Sequence, residues 1–199
     1  MQIADWSFLA VVVTILLTPG PTNTLLAAAG ATAGWRRGVR LIPMESLGYW
    51  LGTTAWGLLL AQVLHEYPLL LNAIKLVSAV YSAKLGIDLL RGALVSPTNS
   101  HTPVISGRQL FVATLLNPKA AIFAMAIFPA ATWQGIVNYT AVMGAFLVSV
   151  ASIGSLWIMF GAALIGGKVS WLTPARFKRF SAFVLFGFSG WLGFNGVFR

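Results

Sequence analysis

The stretch Leu16-Leu17-Thr18-Pro19-Gly20-Pro21-Thr22-Asn23 places two prolines and a glycine in the middle of an apolar run long enough to cross a bilayer. Each proline lacks a backbone donor, and its ring collides with the carbonyl four residues back. A continuous helix is therefore broken here, and carbonyls near Ile15 and Leu17 lose their partners. Where water is absent, such a break persists only if it is buried in protein or lines a wet cavity. The pattern recurs as Leu115-Leu116-Asn117-Pro118-Lys119, again inside an apolar segment. Two broken helices at matching places in two halves point to a transporter with repeated topology.

The remaining composition agrees with a membrane environment. Of 199 residues, 58% are hydrophobic and 9% charged, and mean hydropathy is +0.83, outside the range of soluble domains. Cysteine is absent, which removes thiol redox chemistry, disulfides and cysteine metal sites. The net charge of +9 fits basic loops that orient a membrane protein better than it fits nucleic-acid binding. Ala27 to Ala33 resemble a signal-peptide cleavage region. Against that, Met1 to Ser7 contain Asp5 and no Lys or Arg, while Arg36, Arg37 and Arg40 follow the apolar run. That order predicts a retained helix with its N-terminus outside.

Windows of roughly 20 apolar residues predict six spans, at 6–28, 40–64, 68–91, 108–130, 136–164 and 178–198. The polar stretch 95–107 is an exposed linker between a first three-helix half, 1–94, and a second, 108–199. Arg36, Arg37 and Arg40 lie in the first loop, Arg91 and Arg108 flank the third, and Lys168, Arg176, Lys178 and Arg179 lie in or beside the fifth. Those loops face the cytoplasm by the positive-inside rule, so both termini face outward. Three spans per half make the second half enter inverted. The expected fold is thus an all-α integral membrane protein, with six transmembrane helices in an inverted 3+3 repeat and broken helices 1 and 4. Val77, Ser82, Leu85 and Gly86 align with Val184, Ser189, Leu192 and Gly193 in support of the repeat. Gly48 and Gly52, and Gly187, Gly190 and Gly193, are expected to let helices approach closely. Trp6, Trp35, Trp133 and Trp171 are expected at membrane boundaries.

Taken as helix starts, Thr18 and Asn117 are N-cap types followed by proline at the first helical position. Free amides at such starts attract anions, and Lys119 adds a full positive charge suited to a carboxylate. The expected substrate site comprises Thr18, Pro19, Gly20, Pro21, Thr22 and Asn23 with Asn117, Pro118 and Lys119. Asn23 and Thr22 serve equally well to bind substrate or to satisfy the freed carbonyls. Glu45 and Asp88 are the candidate proton-coupling acids, although Glu45 also suits a nearby arginine and Asp88 suits Lys84 one turn away. Lys75 and Lys84 are expected to snorkel toward opposite faces. His65 and His101 have no metal-ligand partner at suitable spacing, and no cofactor is called for. Nucleophile-elbow, zincin and P-loop motifs are missing, so the chain is not expected to be an enzyme.

Thr18-Pro19-Gly20-Pro21-Thr22-Asn23, then Gly34-Trp35-Arg36-Arg37-Gly38, Gly48 and Leu116-Asn117-Pro118-Lys119-Ala120, resemble the LysE/RhtB family of amino-acid exporters over nearly the whole chain. The resemblance implies a bacterial inner-membrane protein of six helices. Its expected partners are the lipid bilayer, an amino acid or related small metabolite and, in exchange, protons, with self-association open. Met44 and Glu45 stand where relatives commonly carry glycine and a small residue, and Thr22 stands where asparagine is common. The added carboxylate of Glu45 suggests a cationic or zwitterionic substrate. The alternatives are an exporter of another small solute, such as a metal cation, which would need clustered intramembrane ligands, and a membrane scaffold without transport.

Overall fold

The computed structural model describes residues 6–60, 68–94, 105–165 and 174–197. The expected breaks at 65–68 and 166–174 lie wholly or mostly outside these residues, as do His65, His101, Lys168, Trp171 and most of the linker at 95–107. Among the described residues every regular element is helical. The first apolar run divides into α1, Trp6–Leu17, and α2, Pro21–Ala33, which meet at 63°. Gly34 ends α2 with φ +76°, which a side chain would oppose, and its N–H bonds Gly30 at 2.9 Å. The chain continues as α3, Trp35–Gly38, a 3₁₀ turn at Val39–Leu41, α4, Ile42–Ala55, and a π-helical turn at Trp56–Leu60.

The long helix α5 spans Pro68–Leu94. Ser106 and Gln109 then bond each other's backbone N–H groups in a capping box that starts α6, Gly107–Leu115. The second break follows, and beyond it stand α7, Pro118–Ile122, a π-helical turn at Phe123–Ile127 and a 3₁₀ turn at Ala130–Gln134. The two final helices are α8, Ile136–Ile165, and α9, Pro174–Val197. Among the described residues α8 is the one helix long and apolar enough by itself to cross a membrane. The bent pair α1 and α2 reaches that measure jointly.

The two breaks and the close packing of small residues set which helices touch. α2 packs chiefly on α8, α4 on α6, and α5 on α9. A Cβ on Gly30 would overlap the carbonyl of Ile158, and one on Gly161 would overlap that of Ala27, so α2 and α8 meet backbone to backbone. Gly48 and Gly52 act as expected: a Cβ on Gly48 would come within 2.8 Å of Thr114 Cβ on α6, and one on Gly52 within 3.2 Å of Ala120 Cβ on α7. Gly187 and Gly190 do not. Among the described residues nothing lies within 4 Å of either position, because α9 turns other residues toward α5. Ser189 donates to the Ala79 carbonyl at 2.8 Å, and Gly86 sits under the Phe186 ring.

Trp6 and Trp35 are exposed. Trp133 is instead held inward, stacked on Phe128 at 6.0 Å and packed on Gly57, whose missing side chain makes the room. Two apolar clusters result. One gathers Leu25 to Ala31 of α2 with Leu110, Ile158 and Leu185. The other gathers Val12 and Leu16 of α1 with Tyr49, Phe123, Phe146 and Val150. Trp157 packs against both.

Gly30→Ala and Gly161→Ala should each destabilise the protein by about 1–3 kcal/mol or more, because the obstructing atoms belong to backbone. Gly187→Ala should be neutral or stabilising by up to about 1 kcal/mol. Thermal unfolding of the three variants in detergent measures the difference.

Candidate functional site

The first break is satisfied from within. Thr18 turns back on α1: its N–H reaches the Ile15 carbonyl at 3.2 Å, and its hydroxyl donates to the same oxygen at 2.6 Å. Thr18 is therefore not an N-cap. That position belongs to Gly20, in extended backbone, and Pro21 opens α2 where its missing donor is not needed. Asn23, buried on the first turn of α2, donates to the carbonyls of Leu16 and, at 2.9 Å, of Thr18. Its amide thus completes the backbone that the prolines opened.

The second break matches expectation more closely. Asn117 caps α7, its Oδ1 accepting from Lys119 N–H at 3.0 Å, with Pro118 first in the helix. Lys119, only 7% exposed, sends its ammonium back to the first break, where Nζ donates to the Thr18 carbonyl at 2.6 Å. Thr18 oxygen thereby receives both Asn23 and Lys119. Because it lies at the carbonyl end of α1, the charge also meets the negative pole of that helix. A Cβ on Gly20 would lie 3.3 Å from Lys119 Cε, so this glycine leaves the path of the lysine stem open.

Around this link lies a buried polar layer. The Thr114 hydroxyl donates to the Leu110 carbonyl at 2.8 Å, so the 3.3 Å contact between Thr22 and Thr114 has Thr22 as donor. The Thr22 oxygen in turn accepts from Asn117 Nδ2 at 3.0 Å. Asn117 Nδ2 also faces the Tyr49 hydroxyl at 3.4 Å. Glu45 stands one turn before Tyr49 on α4, buried to 1% exposure, and lies within electrostatic reach of Lys119 and Tyr49. Its neighbour on α8 is Gly154, not an arginine.

Thr18, Gly20, Thr22, Asn23, Asn117, Lys119 and Glu45 are thus brought together, with Pro19, Pro21 and Pro118 shaping the breaks. Asp88 is not brought into this layer. It lies half-buried on α5, where its charge acts on Tyr81, whose hydroxyl donates to the Gln109 carbonyl at 3.1 Å. Lys84, with which Asp88 was expected to pair, is exposed. Tyr49 and Thr114 were missed by reading the sequence. Their signal was helical spacing: Tyr49 follows Glu45 by one turn, and Thr114 precedes Asn117 by one. Beside the first break, a cavity of ≈ 190 Å³ is lined by Leu17, Leu156, Trp157 and Phe160.

The family model for the LysE type translocator matches residues 13–195, so it takes in both breaks and every residue of the polar layer. The chain belongs to the LysE type translocator family. An uncharacterized membrane protein of Pseudomonas aeruginosa is 29% identical over 136 residues, covering 62% of this chain and 61% of the relative. Leucine efflux proteins of Salmonella choleraesuis and Salmonella typhimurium are each 26% identical over 132 residues, covering 62% of this chain and 60% of theirs. The matched region therefore spans about three fifths of the length of these relatives. No solved structure matches the chain at a significant level.

Removing the Asn23 amide takes a donor from the Leu16 carbonyl and leaves Thr18 with Lys119 alone, whereas removing the Tyr49 hydroxyl loses the long Asn117 contact and its contact with Thr22. Asn23→Ala should cost about 1–3 kcal/mol of stability and Tyr49→Phe about 1 kcal/mol or less. Denaturation in detergent ranks the two.

Proposed function

We propose that this LysE type translocator is a secondary active exporter of amino acids or closely related small metabolites, working by proton antiport in the bacterial cytoplasmic (inner) membrane. In this reading six spans form an inverted 3+3 repeat with both termini outside. The breaks at Thr18–Asn23 and Asn117–Lys119 are its substrate site, and one half rocks against the other to alternate access. Leucine efflux proteins among the relatives support the amino-acid class. The pairing of α5 with α9, the third and sixth expected spans, suits the repeat.

The observation that carries the reading is the destination of Lys119. An ammonium is costly to bury, and a translocator that keeps one between two apolar clusters holds it against a neutral backbone carbonyl of the other half. A carboxylate is the stronger acceptor for that ammonium. Substrate can therefore take Lys119 from Thr18, uncoupling the two breaks as it binds. Release of the substrate restores the carbonyl contact, so the same lysine serves both the loaded and the empty protein. Glu45, buried in the same layer, is the acid best placed to carry the coupled proton, ahead of the more distant Asp88.

Efflux of preloaded leucine from proteoliposomes should exceed that from empty membranes and respond to an imposed proton gradient. Lys119→Ala at matched abundance should lower the rate roughly ten- to a hundredfold, the scale of one charge-assisted hydrogen bond. No flux above empty membranes across a broad amino-acid panel would overturn the proposed substrate class.

A further inference from the structure

Glu45 is a buried acid with an open oxygen. Its side chain is 1% exposed, and Oε2 has no hydrogen-bond partner among the described residues. The carboxyl is pressed against α8 at a glycine, and a Cβ on Gly154 would overlap Oε2. The titratable groups within electrostatic reach of it are Lys119 from α7 and Tyr49 from its own helix, and the bare backbone of Gly154 lies against it. Lys119 is within electrostatic reach, yet its ammonium is committed to the Thr18 carbonyl. The layer therefore holds one cation and one acid within electrostatic reach of each other and, among the described residues, without a hydrogen bond between them. An open buried carboxyl oxygen is costly unless a donor arrives to fill it.

We propose that Glu45 binds the ammonium group of the substrate while Lys119 binds its carboxylate, so that the site selects zwitterions. The inference rests on the exporter reading above and adds the residue that recognises the second charged group. An ammonium supplies three donors, enough for the open Oε2 and for a second acceptor such as the Tyr49 oxygen. The carboxylate draws Lys119 from Thr18. Positive meets negative at both ends, and the bound complex has the same net charge as the empty site. A substrate with a third charge leaves that charge buried without a partner between two apolar clusters, which opposes binding. A substrate without the ammonium leaves Oε2 as open as before.

The test uses the full chain in proteoliposomes and compares efflux of leucine with that of 4-methyl-2-oxopentanoate, the same skeleton without the ammonium. The ratio of the two rates does not depend on how much protein has folded. The native chain should favour leucine, and Glu45→Gln should lower the ratio about tenfold or more, the scale of one charge-assisted contact. Gly154→Ala, which crowds the carboxylate without changing any charge, should lower the ratio in the same direction, and it decides the matter if Glu45→Gln moves neither solute. An unchanged ratio overturns the role of Glu45 while leaving the exporter reading intact, and so does a changed pH profile at constant ratio. If the native chain moves no amino acid, the exporter reading falls and this inference falls with it.

Discussion

The Thr18 carbonyl is the point on which the two halves of the chain meet. The helix ends at Leu17, so this carbonyl has no helical partner, and Pro19 and Pro21 keep the chain from continuing through it. It is completed by Asn23 from the next turn and by Lys119 from the far half of the sequence. Backbone chemistry of one break thus fixes the position of the other. The capped start of α7 aims the lysine, Gly20 clears its path, and Asn117 ties Thr22 and Tyr49 into the same layer.

Packing keeps that layer in place. The backbone contact of Gly30 and Gly161 presses α2 on α8, while Gly48 and Gly52 bring α4 against α6 and α7. These small residues matter less for flexibility than for distance: they let Glu45, Tyr49 and Asn117 share one level between two apolar clusters. Phe146 anchors the cluster on one side of that level, with Phe123 at 4.8 Å and Phe128 at 5.1 Å.

The breaks were legible in the sequence because proline acts locally, and the Asn117 cap because its partner is two residues away. Gly48 and Gly52 were legible as a spaced pair. The role of Thr18 was not, because its hydroxyl and its carbonyl serve different neighbours, and only the carbonyl faces Lys119. Lys119 was singled out as a candidate site residue from its place in an apolar segment, but its partner lies in the other half, and residue spacing within one segment carries no information about which segments touch. The same limit hid the approach of Gly154 to Glu45 and of Gly30 to Ile158, and it made Gly187 and Gly190 look like packing residues when, among the described residues, nothing packs on either.

The central claim is that the two breaks lie together in the closed protein and must part for transport. Thr22 and Thr114 face each other across that junction at 3.3 Å, in a chain without native cysteine. The most direct measurement is oxidative cross-linking of the double variant Thr22→Cys/Thr114→Cys in proteoliposomes, followed by efflux before and after reduction. The account predicts an intramolecular disulfide that stops efflux and a return of efflux with reductant. Failure of the pair to cross-link, or full efflux from the cross-linked protein, would contradict it.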